Sequence, residues 1–296
     1  MTKPRNIVIT AANDLYLPLA LGLLRSLRGL AFSVPFDIGV LDVGLGEDAK
    51  AQIAAFGATI VPARVDIDYP DRLAWEKQAP AFRSLTARPY FRDTFQGYDV
   101  YMLVDADAWA QTPEAIDTML AGAAAEDSLF VAAEIDRDYR PYFLSSQPWE
   151  YQLKWYRANF PAETVAAIFP RPMLNAGVWA MRATSPVWKA WGDEYTACLQ
   201  RFTRMTKQQF MCDQLSLNIA VYTKGLPLKI MPAEFNWLSL YALPLFDAEK
   251  NLFVRPTPPR STISILHLTH EKKLRTFELA TTNGGTIIRT LLNEGK

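Results

Sequence analysis

The feature that most constrains this chain is its series of short, uninterrupted apolar runs separated by segments of helical periodicity. Runs that are apolar at every position are typical of strands covered by helices on both faces. Strands that alternate with helices favour parallel pairing through crossover connections. The sequence therefore predicts an α/β fold with a mainly parallel, Rossmann-like central sheet flanked by helices. Strands are predicted over residues 6–10, 36–42, 58–62, 98–104, 128–133, 178–182 and 263–267, and helices over 15–30, 47–57, 83–95, 113–123, 186–204 and 207–224.

Domain organisation follows from length and from the absence of linker signals in the sequence. The 296 residues suit one large domain or two small ones, and they contain no internal repeat. The Pro-rich stretch over residues 255–261 is short enough to be a loop. We predict a single domain whose second half extends the sheet in mixed orientation.

Charge and composition exclude several classes of protein. The chain has 31 Lys+Arg and 31 Asp+Glu, so its net charge argues against a nucleic-acid partner and against a polybasic membrane anchor. Two cysteines cannot form a disulfide framework, and the N-terminal residues lack a signal-peptide pattern. The longest apolar run, residues 15–24, is too short to span a bilayer. We expect a cytoplasmic protein with at most peripheral contact to the inner face of a membrane.

The sharpest chemical feature is the tripeptide Asp105-Ala106-Asp107, which directly follows an apolar strand. Ligands of parallel α/β sheets bind beyond the carboxyl ends of the strands. Two carboxylates at that place can approach one divalent cation, and they repel each other without it. A solvated turn with two acids is the alternative interpretation.

A histidine stands at a second predicted strand end. His267 closes the last apolar run, and imidazole is a common ligand of manganese-like metals. Lys273 follows closely, and its ammonium group can neutralise a phosphate. The alternative is a capping or surface histidine.

Three further groups of polar residues suit ligand binding. Asn13, Asp14 and Tyr16 follow the first strand, where they can cap the next helix or contact a nucleobase. The amide of Asn175, close to a glycine, can hold a sugar hydroxyl. Asp213 and Gln214 open a helical pattern, where an acid also suits the helix dipole.

One motif is a decoy. Residues 44–49 fit the glycine pattern of a dinucleotide site, but Glu47 and Asp48 would repel a pyrophosphate there. We therefore expect no dinucleotide cofactor at this turn.

Six segments, in order, resemble a family 8-type glycosyltransferase with the GT-A fold. They are ITAANDLYLPLALGLLRSL (9–27), TARPYF (86–91), YMLVDAD (101–107), LNAGVWAMR (174–182), CDQLSLN (212–218) and HLTHEKK (267–273). The last departs from the family pattern, since His270 stands at its glycine and Leu274-Arg275 follow in place of Pro-Trp.

The resemblance implies transfer of a sugar from a nucleotide sugar, a UDP-sugar, to a glycan or lipid-linked acceptor with retention of configuration. It implies a nucleotide-binding half over about residues 1–110 and a sugar- and acceptor-binding half over about 111–296. Mn²⁺ or Mg²⁺ would bind Asp105, Asp107 and His267, and Asn175, Asp213 and Gln214 would be the catalytic and sugar-contacting residues. The donor would contact Thr10, Ala11, Asn13, Asp14, Tyr16, Arg88, Asp105, Ala106 and Lys273.

Two other functions stay open. A sugar nucleotidyltransferase also needs acids and a metal, although the first strand here is followed by TAANDLY rather than a Gly-rich phosphate loop. An inactive nucleotide- or sugar-binding protein of the same fold is the second. The aromatic-rich segment over residues 139–169 is interpreted either as acceptor walls or as core packing.

Overall fold

The structure, a computed structural model, describes residues 4–269 and 273–293. Its strands are β1 Asn6–Ala12, β2 Asp37–Asp42, β3 Ala58–Pro62, β4 Val100–Val104, β5 Ala108–Ala110, β6 Leu129–Ala133, β7 Leu174–Arg182, β8 Leu228–Met231, β9 Trp237–Leu238, β10 Leu245–Asp247, β11 Leu252–Val254, β12 Ile265–His267, β13 Thr276–Ala280 and β14 Thr286–Thr290. Its α-helices are α1 Leu17–Gly29, α2 Glu47–Ala54, α3 Arg72–Gln78, α4 Phe82–Ala87, α5 Phe91–Thr94, α6 Glu114–Ala125, α7 Pro141–Leu144, α8 Gln147–Asn159, α9 Ala162–Ile168, α10 Val187–Leu199 and α11 Cys212–Lys224. Single turns of 3₁₀ helix lie at Asp14–Tyr16, Arg88–Tyr90, Lys207–Gln209 and Ala233–Phe235.

The central sheet of the described residues has the strand order β3-β2-β1-β4-β7-β6-β8. Strand β7 is antiparallel to both of its neighbours, whereas the other adjacent strands are parallel. The predicted α/β fold with a mainly parallel sheet is confirmed. The order also places β4 at the centre, between the parallel half and the mixed half.

Helices cover both faces of this sheet. On β1, Ile7 and Ile9 belong to one apolar cluster and Val8 to the other, because successive side chains point to opposite faces. Helices α1 and α6 supply buried residues to the cluster of Val8, and α10 and α11 supply the cluster of Ile7. Burial on both faces explains the uninterrupted apolar runs in the sequence.

Strands β7, β6 and β8 extend the central sheet in mixed orientation, as predicted, but the strands after β8 do not join it. They pair in small sheets of their own, and β12 lies between β5 and β9. Since β5 follows β4 after only three residues, this pairing sets His267 opposite Ala108. A remote part of the chain is thereby brought to the carboxyl end of β4.

Several predicted boundaries were wrong for identifiable reasons. The helix over residues 83–95 is broken by a 3₁₀ turn that contains Pro89, which has no N–H to continue the hydrogen-bond ladder. The helix over 207–224 begins only at Cys212, because Thr206 and Gln209 form a capping box around an earlier 3₁₀ turn. Strand β7 starts at Leu174 instead of residue 178, so Asn175 lies inside a strand.

The aromatic-rich segment forms three helices, α7, α8 and α9. Tyr142 and Tyr156 are buried in the core, and Phe143 and Tyr151 are exposed. In the part of the chain that the structure describes, no helix combines the length and the apolarity needed to cross a membrane.

A glycine in β2 tests the packing between sheet and helices. A Cβ at Gly39 would lie 2.7 Å from Phe95 Cε1 and 2.9 Å from Ile7 Cδ1. We expect Gly39→Ala to lower the free energy of unfolding by about 1–3 kcal/mol, because a packed core resists added volume. Urea unfolding checks this. The matched control is Gly29→Ala, where a Cβ would meet no atom within 4 Å, and it should change stability by about 0.5 kcal/mol or less. Equal effects of the two substitutions would contradict the expectation.

Candidate functional site

Three predicted metal ligands meet at the carboxyl end of β4. One ligand atom each from Asp105, Asp107 and His267 lies within 4.8 Å of the others. Backbone hydrogen bonds hold both acids in place, since Asp105 N donates to Gly177 O at 2.8 Å and Leu268 N donates to Asp107 O at 2.8 Å. Strand β7 and the residue that follows β12 therefore fix the backbone of the two acids.

Asp107 is the most strongly compensated acid of this cluster. Its Oδ2 accepts from Lys273 Nζ at 2.5 Å, and its Oδ1 lies 3.3 Å from His267 Nε2. Burial alone would raise the pKa of Asp107, but His267 and Lys273 lower it well below its usual range. The carboxylate is thus ionised at neutral pH, as a metal ligand must be.

Arg88 lies between two acids. Its guanidinium donates to Asp105 Oδ1 at 2.6 Å and to Asp213 Oδ2 at 2.5 Å. Burial works against the charged form of Arg88, but the two carboxylates raise its pKa above the usual range. Its predicted contact with the donor stays a prediction, since the observed contacts orient Asp105 and Asp213.

A buried polar network surrounds Glu134, which directly follows β6. Glu134 Oε1 accepts from Asn175 Nδ2 and Gln214 Nε2, both at 2.8 Å, and Oε2 accepts from Tyr241 Oη at 3.0 Å. Burial raises the pKa of Glu134, and these three hydrogen bonds offset part of the rise. Gln214 Oε1 also accepts from Ala176 N at 2.9 Å, so both ends of this amide are held by protein groups.

A chain of hydrogen bonds sets the tautomer of His267. Asn175 Nδ2 faces Glu134, so Asn175 Oδ1 accepts from Asn236 Nδ2 at 2.9 Å. Asn236 Oδ1 is then left to face His267 Nδ1, at 2.9 Å. Nδ1 is therefore the ring nitrogen that donates to Asn236, which leaves Nε2, 3.3 Å from Asp107 Oδ1, as the nitrogen that would ligate a metal ion.

The chemistry of this donor set fits Mn²⁺ or Mg²⁺. Carboxylate oxygens suit both ions, and the imidazole nitrogen favours Mn²⁺. A cradle for the cluster depends on Gly177, because a Cβ there would lie 2.5 Å from His267 Cε1 and 2.7 Å from Asp105 Oδ2. Close approach of β7 is thus a condition for bringing the ligands together.

The cluster opens into a cavity of about 1690 Å³. Asn13, Tyr16, Ala11 and Ala106 line it, together with the metal cluster and Lys273. The network around Glu134 lines the same cavity. The space therefore joins a charged cluster, an aromatic ring at the end of β1 and a buried amide network.

The residues at the end of β1 and after it divide between positions that line the cavity and positions that stabilise the fold. Asn13 Oδ1 accepts from Tyr16 N at 3.0 Å and caps the 3₁₀ turn, while both residues line the cavity. Asp14 is exposed, and its Oδ1 accepts from Gly46 N at 2.8 Å, which holds the turn before α2. The backbone N–H of Gly46, within the glycine motif over residues 44–49, is thus occupied by the Asp14 carboxylate. Thr10 is buried within β1.

Sequence reasoning missed Glu134, Asn236 and Tyr241. Glu134 carried a usable signal, since it follows the strand over residues 128–133 as Asp105 follows its own strand. Asn236 and Tyr241 lie between short strands and have no such signal. The departure at His270 falls outside the described residues.

The fold is similar to those of solved glycosyltransferases. The galactosyltransferase LgtC, in complex with donor and acceptor sugar analogues, aligns with a TM-score of 0.54 at 16% identity, over 90% of this chain and 87% of that one. An active-site mutant of LgtC aligns with a TM-score of 0.52 at 14% identity, over 88% and 86%. The bifunctional glycosyltransferase WbbM aligns with a TM-score of 0.52 at 14% identity, over 80% of this chain but only 40% of WbbM. No protein-family model and no curated protein sequence matches the chain. The likeness shows a GT-A-like glycosyltransferase fold.

Gly177→Ala tests whether the cradle holds a metal. The added Cβ must displace His267 or Asp105, so we expect the affinity for Mn²⁺ to fall about tenfold or more. Titration of Mn²⁺ followed by electron paramagnetic resonance measures the change. Gly29→Ala serves as the control and should bind as the unaltered protein does. Unchanged affinity in Gly177→Ala would show that the ligands do not depend on this approach.

Glu134→Gln tests the raised pKa of the buried carboxyl. The folded protein holds the proton on Glu134 to higher pH than the unfolded chain, whose carboxyl has the ordinary pKa of 4.5. The contribution of Glu134 to stability is therefore fullest below that pKa and falls as pH rises toward the folded-state pKa. We expect the stability of Glu134→Gln relative to the unaltered protein to improve between about pH 4 and about pH 7. Urea unfolding at the two pH values measures this, and a pH-independent difference would contradict it.

Proposed function

We propose that this chain is a metal-dependent glycosyltransferase of the family 8 type, moving a sugar from a UDP-sugar to a glycan or lipid-linked acceptor with retention of configuration. The observation that carries the proposal is the cluster of Asp105, Asp107 and His267 in the lining of a large cavity, in a GT-A-like fold. Residues 1–110 would bind the nucleotide, and residues 111–296 would bind sugar and acceptor.

The donor is proposed to lie along the ends of β1 and β4. Tyr16 would stack on the base, and Asn13, with Thr10, Ala11 and Asp14 around it, would fix the ribose. Asn13 and Tyr16 line the cavity, whereas Asp14 accepts a hydrogen bond from Gly46 N. Uridine is the proposed base because of the sequence resemblance alone.

Mn²⁺ or Mg²⁺ would be held by Asp105, Asp107 and His267. When bound, the ion compensates the negative charge that develops on the departing diphosphate. Lys273 contacts Asp107 and would turn its ammonium to the phosphate once Asp107 is otherwise compensated. Arg88 keeps Asp105 oriented, so it would act on the donor through that carboxylate as well as by its charge.

Asn175, Asp213 and Gln214 are proposed to border the transferred sugar. Gln214 or Asp213 would stand near the reacting carbon, as the sequence resemblance implies. The hydrogen bonds of Gln214 to Ala176 and Glu134 would hold its amide in one orientation during the reaction. A fixed amide dipole beside a developing positive charge costs no reorganisation at the moment of transfer.

Thermal unfolding with UDP and Mn²⁺ tests the site. Because a ligand that binds only the folded state adds stability by mass action, about 2.7 kcal/mol at a concentration of about 100 Kd, the two together should raise Tm. Either component alone should raise it less. Asp107→Asn should abolish the joint effect while the protein stays folded, and Asp48→Asn, an exposed residue of α2, is the matched control. A joint shift that survives in Asp107→Asn would exclude Asp107 as a ligand.

Release of UDP separates the enzyme from an inactive binding protein. A transferase loaded with Mn²⁺ and its UDP-sugar should release UDP faster when an acceptor is added. A nucleotidyltransferase would instead release pyrophosphate from a nucleoside triphosphate and a sugar phosphate. Binding of UDP and Mn²⁺ without either product would favour the binding protein.

A further inference from the structure

The cavity is larger than a nucleotide sugar requires. Small-molecule pockets usually measure about 300–1,000 Å³, and this one measures about 1690 Å³. Part of its border is formed by α3, α8 and residues 204–211. We call this part the helical wall, and its cavity-lining members used below are Trp75, Lys154, Trp155, Arg204, Lys207 and Phe210.

Side-chain contacts hold the helical wall together. Asn159, at the end of α8, donates from Nδ2 to Gln208 O at 3.0 Å and accepts from Gln209 Nε2 at 3.2 Å. The ring of Phe82 lies 5.9 Å from that of Trp75 and 6.3 Å from that of Phe210. The wall is therefore a packed aromatic surface with a fixed backbone beneath it.

The charged side chains that line the helical wall are mainly positive. Lys154, Arg204 and Lys207 line it, and among the described residues none of the three has an ion-pair partner. Among the described residues by which α3, α8 and the segment 204–211 line the cavity, the only acid is Glu150, which accepts a hydrogen bond from Ser146 at 2.6 Å. Arg88 and Lys273, the cations of the metal cluster, are both paired with carboxylates.

Three cations on one concave surface attract an anion. Since the chain as a whole has no net charge, this excess is a local property of the wall. The half-buried ring of Trp155 lies beside Lys154 on α8 and offers an aromatic face to a sugar ring. Stacking and charge together favour a saccharide that carries an acidic group.

We propose that the helical wall binds an acceptor saccharide bearing a negatively charged group, a phosphate or a carboxylate. The proposal rests on the proposed function, because it takes the acceptor to share the cavity with the donor. The diphosphate of the donor has its own partners in the metal cluster and Lys273. The three cations of the wall are thereby left for the second substrate.

Binding of paired sugars tests the proposal. Galactose 6-phosphate is compared with methyl galactoside, and glucuronic acid with methyl glucoside, by calorimetry in the presence of UDP and Mg²⁺. At least one charged member should bind about tenfold more tightly than its neutral partner, and the preference should shrink at high ionic strength. The pair that shows the preference identifies the acidic group as phosphate or carboxylate.

The triple variant that combines Lys154→Gln, Arg204→Gln and Lys207→Gln should lose the preference for the charged sugar. Its matched control is Lys77→Gln, Arg157→Gln, Lys224→Gln, which removes three exposed cations that do not line the cavity and should keep it. Both variants should retain the joint effect of UDP and Mn²⁺ on Tm. Equal binding of charged and neutral sugars, or no binding of the charged ones, overturns the proposal, as does a preference that survives in the first variant. If UDP and Mn²⁺ together do not raise the Tm of the unaltered protein, that result would instead count against the proposed function.

Discussion

The structure depends on compensating negative charge that has been taken largely out of water. Asp105, Asp107, Glu134 and Asp213 border one cavity, and each is mostly buried. An isolated buried carboxylate is costly, so each must be paired, hydrogen-bonded or protonated. Arg88 pairs with Asp105 and Asp213, and Lys273 pairs with Asp107. Three neutral side chains donate hydrogen bonds to Glu134. These pairings, more than any single strand, determine the form of the site.

Topology makes this compensation achievable. The turn directly after β4 carries two of the acids, and the neighbouring strand β7 carries the glycine that lets His267 approach them. Strand β12 pairs with β5, immediately after the acids, and so delivers the histidine from a distance of 160 residues in the sequence. The same buried network that fixes Gln214 also orients Asn175, and through Asn236 it sets the proton of His267. The amide network around Glu134 and the cluster of Asp105, Asp107 and His267 are thus parts of one hydrogen-bonded unit.

The sequence predicted those parts of the site that follow a local rule. Asp105 follows an apolar strand and His267 ends one, which made each a candidate ligand, and the family resemblance brought the two together in one metal site. The structure places them together through the small sheet of β5, β12 and β9 and not through the central sheet. Glu134 obeys the same rule, and Asp136 follows it two residues later as Asp107 follows Asp105, so the sequence held a usable signal that was overlooked. The pairing of Arg88 with Asp213, and the bridge from Asn175 through Asn236, join residues far apart in the chain. No periodicity signals such contacts, because they arise only when the helices and the small C-terminal sheets have packed. The break at Pro89 shows the same limit, since apolar spacing continued through a residue that cannot extend a helix.

The two sides of the cavity are formed by different kinds of secondary structure, and this has a consequence for substrate specificity. The metal cluster rests on central strands, where any shift disturbs a sheet buried on both faces. The helical wall rests on α3, α8 and a capped 3₁₀ turn, joined mainly by the side chains of Asn159 and Phe82. Exposed side chains such as Lys154 and Lys207 can be exchanged there without cavities or overpacking in the core. If the proposed function holds, such a fold can keep its donor chemistry constant while its preference for a second substrate changes, because the two depend on separate sets of contacts.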